Sequence, residues 1–129
     1  MTTWIHSDAI DGGPAVIRTA STAIHLLSAY ANGDSYATVL AASIGNVAVT
    51  SADMTLSNGA PTGSRKLVTA GKNLTPSGAM ASGATAFAAW VDAATSRVLR
   101  VSSATINQAL SAGTAYPVTF TDYVLNQPT

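Results

Sequence analysis

Between Thr85 and Leu125 the chain keeps an alternation that only extended backbone can use. Thr85 to Asp92 puts Phe87, Ala89 and Val91 on one face, with Trp90 on the other. Arg97 to Ser103 sets Leu99 and Val101 against Val98 and Arg100. Tyr116 to Leu125 sets Val118, Phe120 and Val124 against Thr119, Thr121 and Tyr123. Successive side chains of a strand point to opposite faces, so a period of two builds sheets with one buried side. Ala93 to Ser96 has the length of a hairpin loop, and Ser111-Ala112-Gly113-Thr114 reads as a turn.

The upstream half carries weaker signals of the same kind. Thr22 to Ser28 holds Ile24, Leu26 and Leu27 in a short apolar run, and Asn32-Gly33-Asp34 is a turn. Tyr36 to Ile44 is open between helix and strand. Asn46 to Leu56 reads as one strand with a bulge, Val47 and Val49 on one side and Met54 and Leu56 on the other. Ser57 to Gly63 is a loop, Arg65 to Ala70 a short strand, and Gly71-Lys72-Asn73 a turn. Ser7 to Ala20 is the best helix candidate, with Ser7 or Asp8 as its cap. Gly12-Gly13-Pro14 interrupts it, so either Pro14 opens a shorter helix or the segment is an ordered arm. No internal repeat is visible, and Asn126 to Thr129 reads as a tail outside the sheet. The expected fold is mainly β, a compact antiparallel β-sandwich or barrel. A short N-terminal helix or arm over 1–20 precedes a single β-rich domain over 21–129.

Charge narrows the function. Only 9% of the 129 residues are charged, the net charge is zero, and all six acids are Asp. An ordinary domain carries roughly a quarter charged residues. Ala, Ser and Thr together supply about two-fifths of the chain, well above usual proportions. A surface this neutral does little to resist association. The absence of any basic run argues against nucleic acid as a partner. No apolar run approaches the ~20 residues of a membrane helix, and the start of the chain has no signal-peptide pattern.

Reactive side chains are scarce. There is no Cys, which removes thiolate chemistry and disulfides. His6-Ser7-Asp8 contains the residue types of a catalytic triad, but triad members converge from separate parts of a fold. His25 alternates with Ile24 and Leu26 and is expected to point away from them, to solvent or an interface. The Asp residues at 8, 11, 34, 53, 92 and 122 are scattered without metal-ligand spacing. Asp8 and Asp11 fit helix capping better than a shared cation. No phosphate loop or nucleophile elbow occurs. No catalytic residue, metal or cofactor is expected. Trp4, beside Ile5, is the candidate assembly contact, because Trp is favoured at interface hot spots.

The chain resembles small virion structural proteins of tailed bacteriophages. The resemblance lies in the short polar start from Ser7-Asp8-Ala9-Ile10-Asp11 and the Ser/Thr/Ala/Gly-rich middle around Leu56-Ser57-Asn58-Gly59-Ala60-Pro61. It also lies in the hairpin pattern of Ala86-Phe87-Ala88-Ala89-Trp90-Val91-Asp92, Ser96 to Val101, Gln108 to Gly113 and Val118-Thr119-Phe120. It implies a non-enzymatic particle component located in the virion and assembled in the host cytoplasm. The expected role is a capsid decoration (cement) protein on the major capsid protein, acting as a homo-oligomer, with a trimer fitting three-fold junctions. One alternative is a tail, neck or baseplate component. Another is a carbohydrate-binding module that would use Trp90, Tyr30, Tyr36 and Tyr116 on one exposed face.

Overall fold

Strand pairing organises the chain into a mainly β, antiparallel structure with sandwich-like packing. The computed structural model describes residues 3–5, 14–58 and 65–125; the side chains of 3–5, 58, 65 and 125 are outside that description. The strands are β1 (Thr3–Ile5), β2 (Ala23–Leu27), β3 (Ser43–Ala48), β4 (Met54–Asn58), β5 (Arg65–Thr69), β6 (Lys72–Leu74), β7 (Thr85–Asp92), β8 (Arg97–Thr105), β9 (Tyr116–Val118) and β10 (Tyr123–Leu125). Two short helices, α1 (Pro14–Ala20) and α2 (Tyr36–Ala42), complete the described elements, with a single 3-10 turn at Ser51–Asp53. Neither described helix is long and apolar enough to cross a membrane.

The main sheet has five strands in the order β1-β8-β7-β2-β3. One face packs on a three-stranded sheet, β10-β5-β4, and on α1. The core between them joins Ile24, Trp90 and Leu99 to Met54 and Leu67 of the second sheet and Ile17 of α1. The opposite face buries Leu27, Ala89, Val91, Val98 and Val101 beneath Val39 of α2. The alternation read in Thr85–Asp92 therefore fills two cores, Phe87, Ala89 and Val91 on one side and Trp90 on the other.

Several sequence expectations change for identifiable reasons. The helix is Pro14–Ala20, the shorter option with Pro14 at its first position, where a missing N–H costs nothing. Residues 7–13 are outside the description. Tyr36–Ile44 divides between both states. Ser35 caps a helix by accepting the Thr38 N–H at 3.2 Å, and Ser43 returns the backbone to extended geometry. Asn46 to Leu56 is two strands of different sheets, not one bulged strand. The turn between them is closed by Asp53 Oδ2, which accepts the Thr50 N–H at 2.9 Å. Because the chain changes sheets there, Val47, Val49, Met54 and Leu56 all face one core. Lys72 and Asn73 are in a strand, not a turn. Tyr116 to Leu125 is likewise split, and Tyr123 packs on the core while Val124 is exposed.

A second finding is a long ladder with paired kinks. The register runs unbroken from Lys72↔Val118 and Leu74↔Tyr116 through the bridge Met80↔Leu110 to Thr85↔Thr105 and Trp90↔Arg100. Each side makes one matching excursion. Gly83 N–H donates to Ile106 O at 2.8 Å, and Gly113 N–H donates to Pro76 O at 2.9 Å. Both glycines have positive φ, +89° and +82°, which a side chain would strain. Equal excursions leave the register unchanged, so β6–β9 continues the β7–β8 hairpin around a corner. This is a two-fold-related repeat of turns, and the sequence carries it where none was read: Met80-Ala81-Ser82-Gly83-Ala84 matches Leu110-Ser111-Ala112-Gly113-Thr114 in pattern.

The ribbon then lies against β3. A methyl on Gly45 would sit 3.0 Å from Leu74 Cδ2, 3.2 Å from Pro76 Cα and 3.2 Å from Thr75 O. Backbone atoms cannot yield as a side-chain tip can. Gly45→Ala is therefore expected to lower unfolding free energy by about 1–3 kcal/mol through overpacking. Urea denaturation at neutral pH measures it, and an unchanged midpoint would contradict the close approach.

Candidate functional site

Two polar arrangements stand out in the described part, one between the two sheets and one on the α2 side of the main sheet. The first centres on Arg100. A bulge in the β7–β8 ladder pairs Trp90 with Arg100 and Val91 with Val98, leaving Leu99 as the extra residue. Both Leu99 and Arg100 consequently serve the inter-sheet core, where the sequence pattern set them on opposite faces. The guanidinium carbon lies 4.3 Å from the centre of the Trp90 ring and 5.7 Å from that of Tyr123. Nη2 donates to Thr121 O at 2.7 Å. Phe120 meets the indole edge-on, with ring centres 5.6 Å apart. Arg100 Nε and Nη1, and Trp90 Nε1, are buried without hydrogen-bond partners. Burial pushes the Arg100 pKa down to about 10, opposed by the nearby Tyr123 and Asp122, so the group stays charged at neutral pH.

The second arrangement centres on His25. It is buried, not solvated, and its Nδ1 lies 2.8 Å from Ser43 Oγ. The Ser43 hydroxyl also lies 3.1 Å from Gly45 O, so its single proton goes either to that carbonyl or to the imidazole. Burial lowers the His25 pKa by disfavouring the charged imidazolium. Among the described residues, no three His, Cys, Asp or Glu side chains group closely enough to hold a metal ion.

The remaining charges are spent on structure. Asp92 accepts from Thr95 Oγ1 at 2.7 Å, Ala94 N–H at 3.0 Å and Arg97 Nη2 at 3.1 Å, closing the β7–β8 hairpin beneath Ser96 at φ +54°. The Thr95 hydroxyl, followed by Arg97 and the loop amides, holds the Asp92 carboxyl below its usual range against the opposing effect of burial. Asp53 pairs with Lys72 at 2.8 Å, and that contact leads the causes that lower its pKa. Asp122 pairs loosely with Lys66 at 3.7 Å, Asp34 accepts the Ala31 N–H, and Arg18 Nε donates to Met54 O. Every charged side chain in the described part thus has a protein partner.

Trp4 and Ile5 lie in the edge strand β1, opposite Val101 and Arg100; their side chains, and His6, Asp8 and Asp11, are outside the description. Trp90 is fully buried in one core, while Tyr30 and Tyr36 pack on the other, so they do not form one exposed platform with Tyr116. What the sequence reading passed over is Arg100, although a lone cation between Leu99 and Val101 is a visible anomaly. It also passed over an uncharged groove beside the kinked ribbon, bordered by Leu26, Ala88, Ser102, Val118 and Phe120. No local motif encodes that groove, because its walls come from four separated segments.

Two measurements follow from this geometry. Arg100→Ala removes stem packing and charge together and is expected to cost about 2–4 kcal/mol. Arg100→Met keeps an apolar stem and removes a buried charge with unpartnered donors, so it should cost at least about 1 kcal/mol less than Arg100→Ala. Equal losses in guanidinium chloride denaturation would refute the packing role of the stem. For His25, the lowered folded pKa means that its contribution is full above the unfolded value near 6.5 and declines as pH falls below it. A stability profile from pH 8 to pH 5 should therefore fall more steeply for the parent than for His25→Asn; parallel profiles would reject the assignment. Comparison with known protein families, characterised proteins and solved structures finds no match to this chain.

Proposed function

We propose that the chain is a non-enzymatic structural component of a tailed-bacteriophage virion, a decoration protein that stabilises the major capsid lattice. The observation that carries this reading is the disposal of charge. The described charged groups pair with one another or with the fold's own backbone, so the surface, rich in hydroxyls, amides and methyls, carries little unpaired charge. Such a surface loses little hydration on contact and is not repelled by copies of itself. Two packed cores supply a rigid body for mechanical service. The edge strand β1, with Trp4 and Ile5, is the segment assigned to contact a neighbouring subunit.

Stable docking of this kind needs roughly 1,000 Å² or more of buried surface. A trimer at three-fold junctions meets that need by analogy. The carbohydrate-binding alternative lacks its aromatic platform once Trp90 is buried. Purified protein mixed with expanded capsids that lack it should co-sediment and raise their melting temperature. Failure of both would end the decoration reading. Copy number in purified particles separates shell from tail: hundreds per particle for the shell, a few to tens for the tail, neck or baseplate.

A further inference from the structure

The β7–β8 register sets the floor of the uncharged groove. On the inter-sheet face, the rung Trp90–Arg100 is followed by Ala88–Ser102 and then by Ala86–Ala104. The first rung fills its space with an indole and a guanidinium. The next two carry only small side chains. Beyond the kink, Val118 to Thr121 stands over those small residues instead of lying flat beside them. The space left is about 140 Å³, walled by Leu26, Val118 and Phe120. A second section of about 260 Å³, bordered by Asn107, Gln108 and Tyr116, shares Leu26, Ile106, Val118 and Thr119 with the first.

Three properties of this groove define a ligand. The inner section has about the volume of cavities that accept a benzene-sized apolar molecule, near 150 Å³. Ser102 borders it, is only 6% exposed, and its hydroxyl makes no hydrogen bond with the described residues. The hydroxyl opens into the groove, where it can bond one polar atom of whatever fills the space. Neither section has a charged residue in its lining. The nearest cation, Arg100, is turned to Thr121 O and the Trp90 ring. A charged ligand would lose hydration and gain no counter-charge. The outer section offers amide and phenol groups suited to an uncharged, hydroxyl-bearing head.

We propose that the groove binds a small neutral amphiphile, a short alkyl or aryl group joined to a polyhydroxyl head. The apolar part occupies the space above Ala86 and Ala88, the linking oxygen meets Ser102, and the head reaches Asn107, Gln108 and Tyr116. This site is independent of the assembly reading.

Monomeric hexyl glucoside is a suitable probe. Trp90 touches Phe120 in the groove wall, so indole fluorescence reports occupancy, and amide chemical shifts map the site. A saturable change with Kd on the order of 0.1–1 mM is expected from the ligand's size. Hexanoate, hexylammonium and glucose should each bind at least about tenfold more weakly. Ala104→Leu, at an exposed rim position, should weaken binding about tenfold while leaving the fold intact, and Ser102→Ala by about three- to tenfold. The proposal is overturned by any of four results. These are no saturable response, shifts centred outside 86–88, 102–108 and 116–121, hexanoate binding as well as the glucoside, or Ala104→Leu binding unchanged.

Discussion

The stack of Arg100 on Trp90 is the contact on which the sandwich turns. It exists because the β7–β8 bulge brings two consecutive residues, Leu99 and Arg100, to the inner face. Leu99 fills core volume. Arg100 does something a leucine cannot, since its stem crosses the apolar layer and its head bonds the Thr121 carbonyl. Thr119 to Asp122 joins β9 to β10 without ladder bonds of its own, and it carries Phe120 onto the Trp90 edge. One guanidinium therefore ties the main sheet to the connection that feeds the second sheet. The cost is a buried charge with two nitrogens unpartnered. Cation–π attraction to Trp90 offsets part of that cost, and such contacts are worth most when desolvated.

How far the sequence disclosed this depends on distance along the chain. Where partners are neighbours, as in Thr85–Asp92 with Arg97–Ser103, period and turn chemistry sufficed to place both strands and their hairpin. The mainly β class and antiparallel pairing followed from the same signals. Where one pattern continued through a change of sheet, it misled. Val47, Val49, Met54 and Leu56 read as two faces of one strand because the turn at Ser51–Asp53 carries the chain to another sheet without interrupting the apolar pattern. The alternation of Val118 to Val124 failed at Tyr123 for the same reason: the chain left one sheet and joined another. A bulge is invisible to a strict period of two, and so Leu99 was grouped with Val101 and Val98 with Arg100, pairs that the bulge divides between the two faces. His25 was placed correctly opposite Ile24, but its burial against Ser43 depends on where the chain turns from α2 into β3, which the period does not show. The candidate site was less legible than the fold, since the groove is a product of kinks and not of any run of residues.

Scarcity of charge and the handling of sheet edges work together. An exposed strand edge is a template for unplanned pairing, and proteins commonly guard it with Lys or inward-pointing charge. This chain has few charges to spend, and those described are engaged internally. It guards β3 by geometry instead. The kinked ribbon folds back until Ser77 N–H meets Ile44 O and Leu74 to Pro76 covers Gly45. Pro76 itself removes a donor at the point where the matching strand uses the Ile106 N–H to bond Ala84 O. The ribbon thus covers an edge without presenting a new complete one.

That arrangement separates two kinds of stickiness. Backbone-mediated pairing is indiscriminate, because any extended chain satisfies it, and here it is reduced by covering β3. Side-chain contact through hydroxyls, amides and small apolar groups depends on shape, because no long-range field steers it and each contact is weak. A protein whose neutral surface meets a complementary partner gains from every close approach and pays no penalty for stranded charges. Against a poorly fitting partner the same surface gains almost nothing. Low charge alone would make the chain prone to aggregate. Low charge with a covered edge makes association depend on fit, the condition under which a bland surface can still be selective.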